Sequence, residues 1–262
     1  MFDSTDDVLR CNRGAADITG DWTFATMLRW RGARLETVYL PHTAGRLAYG
    51  YGLEILSGGA LYLYAGTPGS GFGYSEVSSP SVHVVRGKWR ILAITKRSGS
   101  VQADFHSYDF DTRLWKQETA ASPSPNCTSI GADGVVTFGK YQSSDTYNYT
   151  GELAAAAVWN QALSYETVRS LSQVNALVDW AFVSSPRALW LFDQRRASAP
   201  VEDVIGSADQ SGTSGASSLA EPAPIPARLA TTAVRTTAGW VEHDVSVRTS
   251  AGWRRPPTPE IR

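Results

Sequence analysis

An all-β sandwich is the fold class that this 262-residue sequence predicts, and three observations predict it. Apolar side chains recur at every second position in segments such as 22–30, turn residues punctuate the first part of the chain at short spacing, and a single stretch carries a helical pattern. The length suits one large domain or one domain with an appendage. Hydrophobic residues make up 42% of the chain and charged residues 19%, which provides for a packed core and excludes a disordered chain. Twenty-four Lys and Arg oppose 25 Asp and Glu, so no global basic field recruits nucleic acid or an anionic membrane. No window reaches the roughly 18 consecutive apolar residues of a membrane-spanning helix. The start, Met1 to Asp7, is acidic where a signal peptide is basic and then apolar, so neither membrane insertion nor Sec export is expected.

The elements follow in order. Residues 21–30 put Trp22, Phe24, Leu28 and Trp30 on one face, a strand with one heavily buried side. Segments 47–56 and 60–65 flank Ser57-Gly58-Gly59, and a two-residue Gly58-Gly59 turn pairs Ile55 with Tyr62 and Leu53 with Tyr64. One face of that hairpin then carries Tyr51, Leu53, Ile55, Tyr62 and Tyr64, either as core or as a stacking platform. The glycine-rich segment 66–73 reads as a loop; it lacks the Lys-Ser/Thr ending of a phosphate loop. Strands resume at 88–95, 101–108 and 113–119, with Asp109-Phe110-Asp111 at the last turn, and Ser122-Pro123-Ser124-Pro125 interrupts them. Segments 135–140 and 151–159 add two more, the second holding four consecutive alanines suited to close packing. Ser164 as cap, Glu166 in the first turn and Val168, Leu171, Val174 or Asn175, and Val178 at three- to four-residue spacing predict one short helix. Residues 188–193 read as a strand, 207–218 as a Ser/Gly-rich loop, and Pro222 to Pro226 as an extended linker. The domain organisation is therefore a body over 1–221 and an extension over 222–262. That extension repeats Val234-Arg235-Thr236-Thr237-Ala238-Gly239-Trp240 as Val247-Arg248-Thr249-Ser250-Ala251-Gly252-Trp253, which predicts two equivalent β-hairpins or arches.

The sequence holds few signatures of chemistry. His42, His83, His106 and His243 are far apart, no His-Glu-x-x-His or Cys-x-x-Cys occurs, and no Gly-x-Ser-x-Gly elbow exists. Asp104, Asp109 and Asp111 form the densest acidic group and read as turn acids rather than a glycosidase pair. Asp133 and Asp145, on loops around the 135–140 strand, are the calcium candidates; no other cofactor is expected. Cys11 and Cys127 read as two thiols or one long-range bridge.

Asp17-Ile18-Thr19-Gly20-Asp21-Trp22-Thr23-Phe24, then Trp89 to Thr95, then Tyr149 to Leu153 through Val158 to Ser164, resemble laminin-G-like domains of the concanavalin A-like lectin/glucanase superfamily over about residues 10–215. The resemblance implies a jelly-roll sandwich of two antiparallel sheets with one short helix and a small carboxyl-terminal β extension. The glucanase Glu-x-Asp-x-x-Glu strand motif is missing, so no enzymatic activity is expected. The segment 188–193 looks like one that usually opens such domains, which implies a permuted order with this strand beside the amino-terminal one. The Val-Arg-Thr-x-Ala-Gly-Trp repeat resembles the endings of actinobacteriophage minor tail proteins, and the Arg-rich cation set of 20 Arg to four Lys fits such a GC-rich origin. Together these imply a virion protein assembled in the host cytoplasm, a minor tail or surface-decoration protein. It would display a carbohydrate-binding-like domain for host adhesion and contact other virion proteins and copies of itself. Tyr62, Tyr64, Tyr108 and Trp115 are the glycan-stacking candidates and Trp240 and Trp253 the anchoring ones. A purely architectural tail or capsid protein and a secreted glycan-binding protein are the alternatives.

Overall fold

The computed structural model describes residues 8–12, 18, 20–43, 51–66, 74–121, 134–139, 147–192, 205, 210–214, 233–236, 239–242, 247–249 and 252–254. Two compact units, Met1–Pro226 and Ala227–Arg262, divide the chain. In the first, the strands are β1 (Val8–Asn12), β2 (Trp22–Trp30), β3 (Glu36–Thr43), β4 (Tyr51–Ile55), β5 (Ala60–Gly66), β6 (Tyr74–Val82) and β7 (Trp89–Lys96). They continue with β8 (Gln102–Asp109), β9 (Leu114–Ala121), β10 (Gly134–Phe138), β11 (Gly151–Trp159), β12 (Ala188–Leu191) and β13 (Gln210–Ser214). The second unit holds β14 (Ala233–Thr236), β15 (Gly239–Glu242), β16 (Val247–Thr249) and β17 (Gly252–Arg254).

The first unit is a jelly-roll sandwich. One sheet runs β13-β1-β10-β3-β4-β5-β6 and the other β12-β11-β2-β7-β8-β9, and neighbouring strands in both are antiparallel. Their facing sides interdigitate in one core: Phe24, Leu92, Phe105, Val158 and Trp190 from the second sheet meet Tyr39, Leu53, Leu63, Val136 and Phe138 from the first. Ring contacts thread it, with Phe24 stacked on Tyr39 at 4.4 Å between centres and Phe138 edge-on to Trp190 at 5.2 Å.

The outer side of the six-stranded sheet is covered as well. Helix α1 (Tyr165–Ser170) and a 3-10 helix (Leu177–Phe182) lay Val168, Leu171 and Trp180 over Ala25, Met27, Ala93, Ala155 and Ala157. Strand β2 is thus buried on both faces, not on one as its alternation suggested. The alanines of β11 serve both layers, Ala156 inward and Ala154, Ala155 and Ala157 outward; their small volume lets the helical layer approach. Ser164 caps α1, its hydroxyl accepting from the Thr167 amide at 3.2 Å, as its sequence predicted. The single helix expected to run on to Val178 instead ends at Ser170, and the 3-10 helix starts anew with Asp179 accepting from the Asn175 and Ala176 amides.

Three other expectations are corrected. Residues 210–214, expected within a loop, form β13 against β1. The strand at 188–191 pairs with β11 at a sheet edge, so β11 separates it from β2, while β1 lies in the opposite sheet. The β4–β5 connection is a three-residue loop rather than a two-residue turn. The Gly59 amide donates to the Leu56 carbonyl at 2.7 Å and the Leu56 amide to the Ala60 carbonyl at 2.9 Å, with Gly59 at φ +84°. Ile55 therefore pairs with Leu61 and Leu53 with Leu63, one residue away from the expected register. The Gly66–Gly73 loop beyond Gly66, the Pro-rich segments at 122–125 and 222–226, and Asp133, Asp145 and Cys127 lie outside the described residues.

In the second unit each repeat copy is an antiparallel two-stranded sheet in the same register, Arg235 opposite Trp240 and Arg248 opposite Trp253. A hairpin of this size is marginal alone in water.

Gly59 can be tested directly. A Cβ there would lie 2.2 Å from the Val84 carbonyl oxygen, on a backbone that side chains rarely adopt. Gly59→Ala is expected to cost about 2 kcal/mol or more, read as a lowered urea midpoint, whereas Gly58→Ala, with open space around it, is expected to cost little.

Candidate functional site

The shifted register decides what the seven-stranded sheet shows to solvent. Because successive side chains point to opposite faces, the slip turns Tyr62 and Tyr64 away from Tyr51, Leu53 and Ile55 and onto the outer face. The five-residue stripe expected from sequence therefore does not exist. Glu54 lies opposite Tyr62, and Glu76 of β6 opposite Tyr64, so the outer face alternates carboxylates with tyrosines. The two rings meet edge to face, centres 5.2 Å apart, and the Tyr62 hydroxyl donates to the Glu76 carboxylate. Tyr62 and Glu76 are half-buried; Tyr64 retains 9% of its surface. Glu54 is fully buried beneath this face, with the Thr37 hydroxyl donating to its Oε1 at 2.7 Å. Burial pushes its carboxyl up to about 7, with the Glu76 charge adding, against hydrogen bonds from Thr37 and Tyr64.

Tyr108 and Trp115 are elsewhere. They form a cross-strand pair on the outer side of the six-stranded sheet, ring centres 5.4 Å apart, with Phe110 edge-on to Tyr108 at 5.0 Å. The Trp115 indole donates to the Ser172 hydroxyl at 2.9 Å, and both rings pack against the helical layer. The four stacking candidates thus form two platforms on opposite sides of the sandwich, and no one sugar can touch both. Of the three acids read as turn residues, Asp109 ends β8 and accepts from the Asp111 amide, and Asp111 pairs with Lys88 at 2.9 Å. Asp104 is a strand residue instead, accepting from the Thr119 hydroxyl at 2.6 Å.

Two polar clusters have no signature in the sequence, because their members come from distant strands. At the sandwich edge the His83 ring reaches Ser107 Oγ at 2.9 Å and Glu118 at 3.1 Å, and Lys116 and Ser81 close the group around the carboxylate. Burial raises the Glu118 carboxyl, but hydrogen bonds from Ser81, Lys116 and His83 outweigh it and hold it down at about 2. An ionised Glu118 only accepts, so the Nε2 of neutral His83 carries the proton and Nδ1 accepts from Ser107. This cluster ties β6 of one sheet to β8 and β9 of the other. At the end of the sandwich, Glu152 accepts from Arg29 at 2.7 and 3.0 Å and from Arg31 at 2.8 and 3.1 Å, and Arg29 also lies 5.4 Å above the Trp89 ring. Beside it, Glu36 accepts from the Trp30 indole and the Thr150 amide, each at 2.9 Å.

Among the described residues, no three His, Cys, Asp or Glu side chains converge as a metal site. Cys11 sits in β1 opposite Val136. No helix among the described residues is long and apolar enough to cross a membrane.

No protein-family model and no curated protein matches the chain. Among solved structures it is similar to a heptameric SAP-like pentraxin from Limulus polyphemus, at 16% identity over 65% of this chain and 79% of that one, TM-score 0.46. It is also similar to the CBM40 of the Ruminococcus gnavus IT-sialidase bound to α2,3-sialyllactose, at 15% identity over 59% and 83%, TM-score 0.47. The LG1-3 region of the laminin α2 chain matches at 16% identity over 63% of this chain and 31% of that one, TM-score 0.46. Likenesses this distant leave function to be argued from the residues themselves.

Glu54 makes stability depend on pH in a set direction. Its folded value of about 7 lies above the ordinary carboxylate value of 4.5, so its contribution is fully present below pH 4.5 and is lost as pH rises through 7. Relative to Glu54→Gln, the wild-type chain is expected to lose about 3 kcal/mol between pH 4 and pH 8. Urea midpoints of both chains at the two pH values measure this; a gap that stays constant rules out a carboxyl held neutral by burial.

Proposed function

We propose that this chain is a non-hydrolytic glycan-binding sandwich carried on a bacteriophage particle, a minor tail or surface-decoration protein that adheres to the host surface. The observation that carries the reading is the half-buried pair Tyr62 and Glu76 on the outer face, with the Tyr64 ring edge-on to Tyr62 and Glu54 buried beneath them. Aromatic rings take the apolar face of a sugar, and an adjacent carboxylate accepts from its hydroxyls. Binding rather than cleavage is favoured because hydrolysis needs two carboxyl groups flanking the scissile bond, whereas Glu54 exposes no surface. The mechanism uses no cofactor. Single-site affinity on so small a platform is weak, and many copies on one particle raise it.

The carboxyl-terminal unit is the attachment to other virion proteins or to further copies of this chain, with Trp240 and Trp253 as its anchors. Two hairpins in identical register, each too small to be stable alone, support a unit completed by partners. An architectural role without ligand shares this anchor and differs only at the tyrosines.

Glycan-array binding of the full chain, together with immunogold labelling of purified particles, tests the proposal. Tyr62→Ser with Tyr64→Ser is expected to lower array binding roughly tenfold or more while Tyr108→Ser leaves it unchanged. Particle labelling without binding to any glycan establishes the architectural role, and unlabelled particles overturn the virion reading.

A further inference from the structure

The turns at one end of the sandwich enclose a groove of about 370 Å³ that no motif announces. Trp30 and Val84, both buried, form its floor. Gly32, Gly58, Val82, Val85 and Arg86 are among its other lining residues. Val82 and Val85, which both line it, expose 50% and 47% of their surface, so apolar surface is open to a ligand there.

The charge around this groove is unbalanced. Arg29 and Arg31 share the single carboxylate of Glu152, and Arg34 and Arg86 belong to the turns that form the groove. Glu36, the other carboxylate here, is buried and already accepts from Trp30 and Thr150. Arg86 is thus the guanidinium group that lines the groove, and neither Glu36 nor Glu152 nearby reaches solvent to oppose it. Arg86 is exposed and is positioned by its Nε, which donates to the Arg31 carbonyl at 2.7 Å; that bond does not use the two terminal nitrogens of its fork.

We propose that this groove is a second ligand site and takes a carboxylate-bearing sugar unit, with the carboxylate against Arg86 and the apolar ring face on Val82 and Val85. The volume is at the small end for ligand pockets, which suits one or two sugar rings. The proposal rests on the glycan-binding reading and gives that reading a second, oppositely charged contact, on the turns rather than on the sheet.

Calorimetric titration of the full chain with a glucuronate-terminated disaccharide, its glucose-terminated counterpart and a short acetylated peptide ending in a free carboxylate tests it. The glucuronate compound is expected to bind roughly tenfold more tightly than the glucose one, to weaken by about the same factor in Arg86→Ala and with added salt, and to bind Tyr62→Ser unchanged. Arg86→Gln, which keeps a donor to the Arg31 carbonyl, guards against a collapsed turn and is expected to weaken binding as Arg86→Ala does. Equal affinity for the two sugars, or indifference to both Arg86 variants, overturns the groove site. Binding of the glucose compound alone, lost in Tyr62→Ser, overturns the groove while leaving the glycan-binding reading intact. Peptide binding as tight as glucuronate binding and equally dependent on Arg86 overturns the assignment to sugars, and no binding of either sugar overturns the groove proposal.

Discussion

One turn residue governs which side of the seven-stranded sheet is core and which is surface. Gly59 adopts a backbone conformation that adds a third residue to the β4–β5 loop, and its alpha carbon is pressed against the Val84 carbonyl. The added residue shifts the pairing so that Leu61 and Leu63 join Leu53 and Ile55 inside, and the tyrosines between them face out. A two-residue turn would have buried Tyr62 and Tyr64 and placed Leu61 and Leu63 in water. The same contact holds the β6–β7 connection in place, because the Gly59 carbonyl accepts from the amides of His83 and Val84 at 3.0 Å. The register, the outer face and one wall of the groove therefore share an origin.

The two sheets have divided the work. The six-stranded sheet is sandwiched between the core and the helical layer, and its alanine-rich β11 allows close contact on both sides. Its outer aromatics, Tyr108, Phe110 and Trp115, are drawn into the edge of that layer, and the Trp115 indole is already satisfied by Ser172. The seven-stranded sheet carries Glu54, Tyr62, Tyr64 and Glu76 on its outer side. Burying a carboxyl there carries a desolvation cost, which pushes the Glu54 carboxyl up to about 7, so that it is neutral below that pH and serves as a hydrogen-bonded support for Tyr64.

How much of this could be read from the sequence follows from the range of each interaction. Strands β2, β7, β8, β9 and β11, the Ser164 cap and the paired hairpins were legible because alternation, capping and repetition act over a few residues. The β4–β5 register was not legible because Ser57-Gly58-Gly59 fits a two- or a three-residue loop, and only the packing of Leu61 and Leu63 decides between them. The burial of both faces of β2 was hidden because its covering layer, at 165–170 and 177–182, is far away in the sequence. Neither the His83–Ser107–Glu118 cluster nor the shared Glu152 could be found by motif, since the partners meet only after the two sheets close.

Electrostatics distinguishes the two surfaces that remain available for ligands. The tyrosine face presents Glu76 with Glu54 beneath it, and among the described residues no Lys or Arg bonds to either carboxylate. An anionic sugar arriving there meets like charge in a partly desolvated setting, where repulsion is stronger than in bulk water. The groove at the turns has the opposite balance, with Arg86 in its lining and the nearby carboxylates of Glu36 and Glu152 withdrawn from solvent. A neutral sugar gains little there beyond contact with two valines. Each surface thus disfavours what the other accepts, so a polymer alternating neutral and acidic units could engage both through different residues, and discrimination would come from the repulsive member of each pair as much as from the attractive one.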